Sequence, residues 1–442
     1  MANGITFKQI NRLALPALIA GIAEPLLSIT DTAIVGNVEH NPIEALAAVG
    51  IAGSFLSALF WILAQTRSAI SAIIAQYLGA NRLDEIKTLP SQIIAINITI
   101  SIFLYVITLF FIDGIFKLYN AQGLILNYAV SYYKIRALGL PLTLFVFSVF
   151  GVFRGLQNTF WPMIISIVGA VVNVILDYVF VFGIEGLIPA MHIEGAAYAS
   201  VIAQGIMAVM ALVLMLKKTP FNLRFSFPFN REIKRLLLLS LNLFIRALAL
   251  NIAIYFANSF ATKYGDNYIA AQTIAFQIWL FFAFFIDGYS SVGNIISGRL
   301  LGAKDYKNLW KLSKDLSKYA MVVAFILGIF CFLFYKPIGR IFTDDASVLA
   351  SFYSIFWIVL LMQPLNAIAF VFDGLFKGLA EAITLRNTLL IATFLGFIPV
   401  LLIGDYFGLK LTAIWVAFTV WMFLRMIILV VKFRKKYLSV NY

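Results

Sequence analysis

The chain has 442 residues, of which 62% are hydrophobic and only 12% are charged. A soluble domain carries about 25% charged residues, so this composition excludes a water-soluble globular protein and predicts a polytopic membrane protein. The single cysteine, Cys331, excludes a disulfide framework and a paired-cysteine metal site. The formal net charge of +13 alone is compatible with nucleic-acid binding, so the positions of the basic residues have to decide.

Long apolar runs follow one another along the whole chain. A membrane-spanning helix needs about 20 apolar residues, whereas a barrel strand is shorter and alternates in polarity. The runs therefore predict an all-α polytopic membrane protein with twelve transmembrane helices. The predicted spans lie near residues 10–35, 46–78, 92–118, 124–152, 160–183, 193–216, 236–262, 268–298, 319–342, 346–376, 384–407 and 411–431.

The positions of lysine and arginine predict the orientation of these spans. With the N-terminus inside, basic residues concentrate in the cytoplasmic loops, which is the positive-inside pattern. We therefore expect a multi-pass protein of the cell inner (cytoplasmic) membrane with both termini in the cytoplasm, and the basic excess requires no nucleic acid. The basic residues that fall in outer loops are Lys117, Lys263, Lys336, Arg340 and Lys410.

Short motifs recur in the second half of the chain at a fixed offset of 223 residues. One short match would be weak evidence, but three in the same order are strong evidence of an internal duplication. The matching motifs are Leu78-Gly79-Ala80 with Leu301-Gly302-Ala303, Pro141-Leu142 with Pro364-Leu365, and Phe153-Arg154-Gly155-Leu156 with Phe376-Lys377-Gly378-Leu379.

The duplication predicts two pseudo-symmetric six-helix lobes. Six spans per half is an even number, so both halves enter the membrane from the same side, and parallel repeats of this kind are a common transporter plan. We predict an N-terminal lobe over residues 1–218, a cytoplasmic linker over 219–235 and a C-terminal lobe over 236–442. The alternative is a duplicated protein that does not transport, such as a receptor or scaffold.

Ionisable residues inside a span are costly unless they face a cavity or a partner, so they are the candidate functional residues. Asp31 in span 1 and Asp177 in span 5 fall at similar predicted depths. Asn173 lies one turn before Asp177 on the same helix face, and Ser200 in span 6 reaches the same level. These oxygen ligands suit a proton or a hard cation such as Na⁺. The alternative is a structural partner for each aspartate, although no basic residue of this half falls at their depth.

A second set of polar residues lies in the predicted C-terminal lobe. We assign Asp287 and Gln277 in span 8, Arg246 in span 7 and Asp373 in span 10 to a substrate pathway. For Asp287 the alternative is a structural ion pair with Arg246, and for Asp373 it is a helix-end or hinge role. In span 1, Pro25 frees a backbone carbonyl and is the predicted hinge.

The sequence offers no catalytic centre. Its two histidines, His40 and His192, both fall in or near outer loops. A membrane-embedded hydrolase or metalloprotease would need such groups inside the membrane, so we expect no enzyme activity.

These residues resemble the motifs of the multidrug and toxic compound extrusion (MATE) family, and in particular of its DinF-like branch. The resemblance extends over the whole chain, and its motifs are specific when taken together. The matching segments are 15–18, 24–26 and 31–36 in span 1, 46–50 and 76–80 in span 2, 153–159 after span 4, 173–177 in span 5, 195–200 in span 6, 287–288 in span 8 and 373–378 in span 10.

The resemblance implies a two-lobed antiporter that exports organic cations or amphiphilic compounds in exchange for H⁺ or Na⁺ by rocker-switch alternating access. It also implies a cation-binding and protonation site at Asp31, Asn173, Asp177 and Ser200, with the Ala196 carbonyl nearby; this is where Na⁺ would bind. We expect no cofactor other than this coupling ion. The expected partners are a small substrate and membrane lipid, and we expect a monomer.

Some relatives carry a second acidic ion site in the C-terminal lobe. The corresponding position in span 10 is Asn366, which cannot carry a proton, so coupling through the N-terminal lobe is expected. The alternative function is a lipid-linked oligosaccharide flippase of the same broad superfamily. The paired carboxylates of the N-terminal half argue against a flippase, whereas Arg67 and Arg246 leave it open.

Overall fold

Apolar helices make up almost all of the structure, a computed structural model that describes residues 5–36, 38, 41–119 and 121–438, with the backbone alone at 23–29, 32, 33, 42, 43 and 61. The α-helices are α1 Phe7–Val35, α2 Pro42–Leu63, α3 Gln65–Gly79, α4 Leu89–Leu118, α5 Gly123–Arg136, α6 Leu140–Gly155, α7 Phe160–Phe182, α8 His192–Lys218, α9 Glu232–Tyr264, α10 Asp266–Gly302, α11 Tyr306–Leu333, α12 Tyr335–Phe342, α13 Ala346–Leu361, α14 Gln363–Gly378, α15 Ala382–Ile391, α16 Ile398–Tyr406 and α17 Leu411–Phe433. Shorter 3₁₀ and π turns lie at Leu83–Ile86, Ala137–Gly139, Ala392–Phe397 and Arg434–Leu438.

The helices are long and apolar enough to cross a membrane. Ten segments of the described residues meet that requirement, and the pair α13 and α14, bent by 51°, makes eleven. Helix α1 has 29 residues, more than the roughly 20 that a bilayer needs. The predicted all-α architecture with twelve transmembrane helices in two lobes is confirmed.

Two of the helix breaks have the same cause in each half of the chain. Pro141 lies at the start of α6, after the break from α5, and Pro364 lies at the start of α14, after the bend from α13. A proline has no N–H to donate and its ring clashes with the preceding turn, so a helix begins again at it more easily than it continues through it. The prolines are 223 residues apart, so the duplication repeats the proline and the helix interruption before it, although only the pair α13 and α14 is bent among the described spans.

The duplication also recurs as a pair of reciprocal close contacts. A Cβ atom built on Gly79 would lie 1.9 Å from the carbonyl oxygen of Arg299, and one built on Gly302 would lie 1.9 Å from the carbonyl oxygen of Gln76. Each residue of one contact lies 223 positions from its counterpart in the other. Only glycine allows the C-terminal ends of α3 and α10 to approach so closely.

The described residues form two compact units. The N-terminal unit comprises Leu15–Ile74 and Arg82–Leu237, and its apolar core includes Phe116 and Tyr133. The C-terminal unit comprises Met1–Ala14, Ala75–Asn81 and Leu238–Tyr442, and its core is built around large side chains such as Trp415 and Trp421. The predicted lobe limits at residues 218 and 236 stay a prediction.

The side chain of Gln92, near the start of α4, binds the segment between α8 and α9 through three hydrogen bonds. Gln92 is fully buried and its Nε2 donates hydrogen bonds to the carbonyl oxygens of Ser226 and Pro228, at 2.7 and 3.1 Å. Its Oε1 accepts a hydrogen bond of 2.8 Å from the backbone N–H of Asn230. The amide thereby satisfies three backbone groups that have no helical partner.

Candidate functional site

Three helices of the N-terminal unit bring the predicted ion-site residues together. Asp31 lies on α1, Asn173 and Asp177 lie on α7, and Ser200 lies on α8, all with at most 5% of their surface exposed. Ser200 Oγ donates to Asp31 Oδ2 at 3.1 Å, and Asn173 Nδ2 donates to Ser200 Oγ at 3.2 Å. Asp177 interacts electrostatically with Asp31 and Asn173. Ala196 is buried one turn before Ser200 on α8.

The local sequence explains why these side chains point inward together. On α7 the buried residues include Gly169, Asn173 and Asp177, which recur every four positions and therefore share one face of the helix. The other faces of α7 are apolar, with exposed residues such as Ile175 and Tyr178. Helix α7 thus presents a single polar stripe on an apolar surface.

The site has more hydrogen-bond acceptors than donors. Asp31 Oδ1, Asn173 Oδ1 and both carboxylate oxygens of Asp177 are buried, and none has a hydrogen-bond partner among the described residues. Buried polar atoms are almost always paired, because an unpaired one loses its bonds to water without replacement. Acceptor oxygens left over in this way are satisfied by a proton or a bound cation.

The composition of the site favours a monovalent ion. Among the described residues, no group of three or more His, Cys, Asp or Glu side chains is placed to hold a metal. Two carboxylates, an amide and a hydroxyl supply fewer charges than multi-carboxylate calcium sites do. The arrangement can hold one proton between the carboxylates or one Na⁺ among the oxygens.

Two residues on α5 near this site were missed by the sequence analysis. Tyr132 is buried and lies in electrostatic range of Asp31 and Asp177. Arg136, one turn later, lies in electrostatic range of Asp177, and its Nη1 is buried with no hydrogen-bond partner among the described residues. The expectation that no basic residue reaches this depth is therefore wrong.

The length of the arginine side chain explains the error about Arg136. Predicted depth was counted from backbone positions along the span, whereas Arg136 lies at the C-terminal end of α5 and its long side chain comes within electrostatic range of Asp177. The four-residue spacing of Tyr132 and Arg136 could have indicated that both face the ion site, because it places them on one face of the helix.

The four residues assigned to a substrate pathway are only partly brought together. Arg246 Nε and Nη2 donate to the two carboxylate oxygens of Asp373 at 3.2 and 2.6 Å. The alternative ion pair between Arg246 and Asp287 is wrong, because Asp287 is exposed on α10 and Arg246 is engaged by Asp373. Gln277 is also exposed on α10, about 15 Å along the helix from Asp287.

Asp373 lies inside a helix. It is buried on α14, five residues before the helix ends at Gly378, and the helix-end or hinge role stays a prediction. Asn366, on the same helix, is buried and donates to Gln363 Oε1 at 2.9 Å.

The side chain of the predicted hinge residue, Pro25, is not among the described residues. The side chain of Pro25 and the whole of His40 lie outside the described residues, so the role of Pro25 stays a prediction.

Comparison with known proteins places the chain among transporters. The family model MatE matches residues 16–179 and 243–403. DNA damage-inducible protein F of Escherichia coli (strain K12) is 26% identical over 426 residues, which cover 95% of this chain and 90% of that protein. A probable multidrug resistance protein NorM of Bacillus licheniformis is 25% identical over 424 residues, which cover 92% of this chain and 91% of that protein.

A solved structure shares the fold. An outward-facing conformation of a multidrug resistance MATE family transporter of the MOP superfamily superposes with a TM-score of 0.88. The alignment covers 98% of this chain and 96% of that one, at 21% sequence identity.

Proposed function

This chain belongs to the MatE family of multidrug efflux transporters, in its DinF-like branch, and we propose that it is a secondary antiporter coupled through the buried carboxylates of its N-terminal unit. It exports organic cations or amphiphilic compounds in exchange for H⁺ or Na⁺, by alternating access of the rocker-switch type. The flippase alternative is not favoured, because the matching relatives carry multidrug-resistance names.

The observation that carries the proposal is the set of buried acceptor oxygens without donors around Asp31 and Asp177. The site holds two carboxylates, and the guanidinium of Arg136 lies in electrostatic range of one of them, Asp177. One further positive charge balances the site, and a proton or a Na⁺ ion supplies it. Without that ion the two carboxylates repel each other in a medium that screens them poorly.

The ion-free site favours a rearrangement that the loaded site does not need. Ser200 connects Asp31 on α1 to Asn173 on α7, so a change of charge at Asp31 acts on the packing of three helices at once. Loading from the side with the higher ion concentration stabilises one arrangement of these helices, and release on the other side stabilises the second. Such a differential affinity is the requirement for coupling an ion gradient to a conformational change.

The remaining parts of the proposal concern location and partners. The excess of Lys and Arg in the predicted inner loops supports a place in the inner membrane with both termini in the cytoplasm. We propose a monomer that contacts its substrate and membrane lipid, binds no nucleic acid, catalyses no reaction and needs no cofactor other than the coupling ion.

The test is efflux of a fluorescent organic cation from proteoliposomes, with a pH gradient and a Na⁺ gradient imposed separately. Wild type is compared with Asp31→Asn, which keeps the size of the side chain but removes its charge. The matched control is Asp113→Asn, because Asp113 is an exposed carboxylate of α4 in the same unit. We expect one gradient to drive efflux in wild type and in the control, but not in Asp31→Asn. Equal gradient-driven efflux from Asp31→Asn would overturn the proposal.

A further inference from the structure

A cluster of basic side chains surrounds one carboxylate inside the C-terminal unit. Asp373 Oδ2 lies 2.6 Å from Arg246 Nη2 and 3.2 Å from Lys377 Nζ, and Asp373 Oδ1 lies 3.7 Å from Arg425 Nη2. The cluster joins α9, α14 and α17. We refer to these four residues as the C-terminal charge cluster.

The C-terminal charge cluster holds three cations and one anion. Its side chains are almost fully buried, with exposed fractions of 7% for Arg246, 5% for Asp373, 17% for Lys377 and 1% for Arg425. Buried charges are stable only when they are paired, because their hydration has been lost. The next carboxylate in electrostatic range is the exposed Asp287, which lies beyond ion-pair distance of the three cations. The cluster therefore carries surplus positive charge.

Arg425 contributes a donor that the protein leaves unused. Its Nη2 is buried and has no hydrogen-bond partner among the described residues, since 3.7 Å to Asp373 exceeds a hydrogen bond. Its Nη1 contacts only the sulfur of Met422 at 3.1 Å, and a thioether is a weak acceptor. Lys377 has three N–H donors and is the most exposed member of the cluster, so a ligand reaches the cluster most easily from its side.

We propose that the C-terminal charge cluster is a binding site for an oxyanion, a carboxylate or phosphate group, held by Arg425 and Lys377. The planar guanidinium matches the two oxygens of such a group, and an ammonium adds a point charge. The faces of Phe370 and Trp421 lie 5.5 and 4.7 Å from Arg425 Cζ and hold its guanidinium in place. Arg246 donates both short hydrogen bonds to Asp373, whereas Arg425 Nη2 lies 3.7 Å from this carboxylate, within ion-pair range but beyond hydrogen-bond distance.

This site is separate from the proposed ion site. The two lie in different units of the chain, and oxyanion binding requires no ion gradient. The oxyanion has two sources, the anionic end of an amphiphilic compound or a free inorganic anion. Both present the same oxygens to Arg425, and only the amphiphile carries an apolar chain beside them.

The test is equilibrium binding to the purified protein in a neutral detergent, measured by titration calorimetry and by the melting temperature. The probes are inorganic phosphate, hexyl phosphate and hexanoate, with hexylammonium as the charge-reversed control. We expect the oxyanions to bind and to raise the melting temperature of wild type, and hexylammonium to do neither. Tighter binding of hexyl phosphate than of phosphate would identify the amphiphile as the source, and equal binding would identify a free anion.

Variants separate a binding role from a structural one. Arg425→Gln and Lys377→Gln each remove one charged donor, and we expect each to weaken oxyanion binding about tenfold or more. Lys263→Gln removes the same charge from an exposed lysine of α9 and should bind like wild type. Should Arg425→Gln fail to elute as a monodisperse protein, Lys377→Gln and Arg425→Lys replace it, and both are expected to bind oxyanions more weakly.

Two results would overturn the inference. One is the absence of oxyanion binding to folded wild type, and the other is unchanged affinity in folded Arg425→Gln and Lys377→Gln. Oxyanion binding is also measured in Asp31→Asn, where we expect it to be unchanged. Failure of ion coupling and failure of anion binding are therefore distinguishable.

Discussion

The contact between Gly79 and Gly302 leads to a prediction whose size follows from one distance. In Gly302→Ala the new Cβ would meet the Gln76 carbonyl oxygen at 1.9 Å, whereas ordinary van der Waals contact begins at 3.4 Å. The ends of α3 and α10 must therefore separate by about 1.5 Å, because the obstacle is backbone and cannot rotate away. Overpacking of this kind costs about 1–3 kcal/mol and occasionally more.

The assay is thermal unfolding of the purified protein in detergent, followed by loss of the monodisperse species. At about 2–4 °C per kcal/mol, the apparent melting temperature of Gly302→Ala should fall by about 2–12 °C. The matched control is Gly328→Ala, inside α11 and five residues before its end, where a built Cβ meets nothing within 4 Å. Alanine favours a helix over glycine by about 0.5–1 kcal/mol, so the control should melt at or above the wild-type temperature.

The reciprocal geometry predicts how two substitutions combine. Gly79→Ala alone should destabilise the protein as Gly302→Ala does, since its Cβ meets the Arg299 carbonyl oxygen at the same distance. One separation of the two helices relieves both clashes, so the double variant should lose less than the sum of the single losses. The reasoning is refuted if Gly302→Ala melts like wild type, or if the two losses are simply additive.

Three further predictions concern charges and ligands. Asp373→Asn removes the only carboxylate of the described residues that lies within ion-pair distance of Arg246, Lys377 and Arg425. It should cost about 3–5 kcal/mol of stability, visible as a lower melting temperature than wild type; an unchanged temperature would contradict the pairing. Asn173→Ala removes an oxygen that Na⁺ needs and a shared proton does not, so efflux should be lost if Na⁺ drives it and kept if H⁺ does, as measured in the proteoliposome assay. Outside the membrane spans, the Ser347 hydroxyl and the following backbone N–H groups donate to Asp345 and hold its pKa below the usual range. The ionised cap of α13 is thus present above the usual pKa and is lost only as pH falls through the lowered one, so NMR titration should place Asp345 below a free aspartate; a normal midpoint would contradict the cap.

Local rules were enough to predict the helices and the duplication. Apolar runs of bilayer length specify spans whatever their partners are, because lipid requires every backbone group to be satisfied within the segment. Pro141 and Pro364 mark the two repeated breaks, since proline acts through its own ring and missing N–H. That Asp31 lies beside the polar residues of α7 was also predictable, because a carboxylate within a span is stable only next to polar or charged partners.

Local rules did not predict which ionisable side chains pair with each other. Arg246 could have paired with Asp287 or Asp373, and only the packing of α9 against α14 decides between them. Arg136 comes within electrostatic range of Asp177 through its long side chain, which a count of backbone positions along the helix does not include. The repeat offset showed that Gly79 and Gly302 are equivalent, but it did not show that each glycine packs against the helix that carries the other.

The three hydrogen bonds of Gln92 indicate where this duplicated chain can be cut so that its two halves are expressed as separate polypeptides. A first polypeptide ending at Lys218, the last residue of α8, would leave the partners of Gln92 on the second polypeptide. A first polypeptide ending at Arg231 would keep all three partners beside Gln92 and would let the second begin with α9 at Glu232. The residues that connect the two halves are therefore hydrogen-bonded to the first half. Co-expressed fragments should assemble best when the chain is cut after Arg231, so that these hydrogen bonds stay within the first fragment.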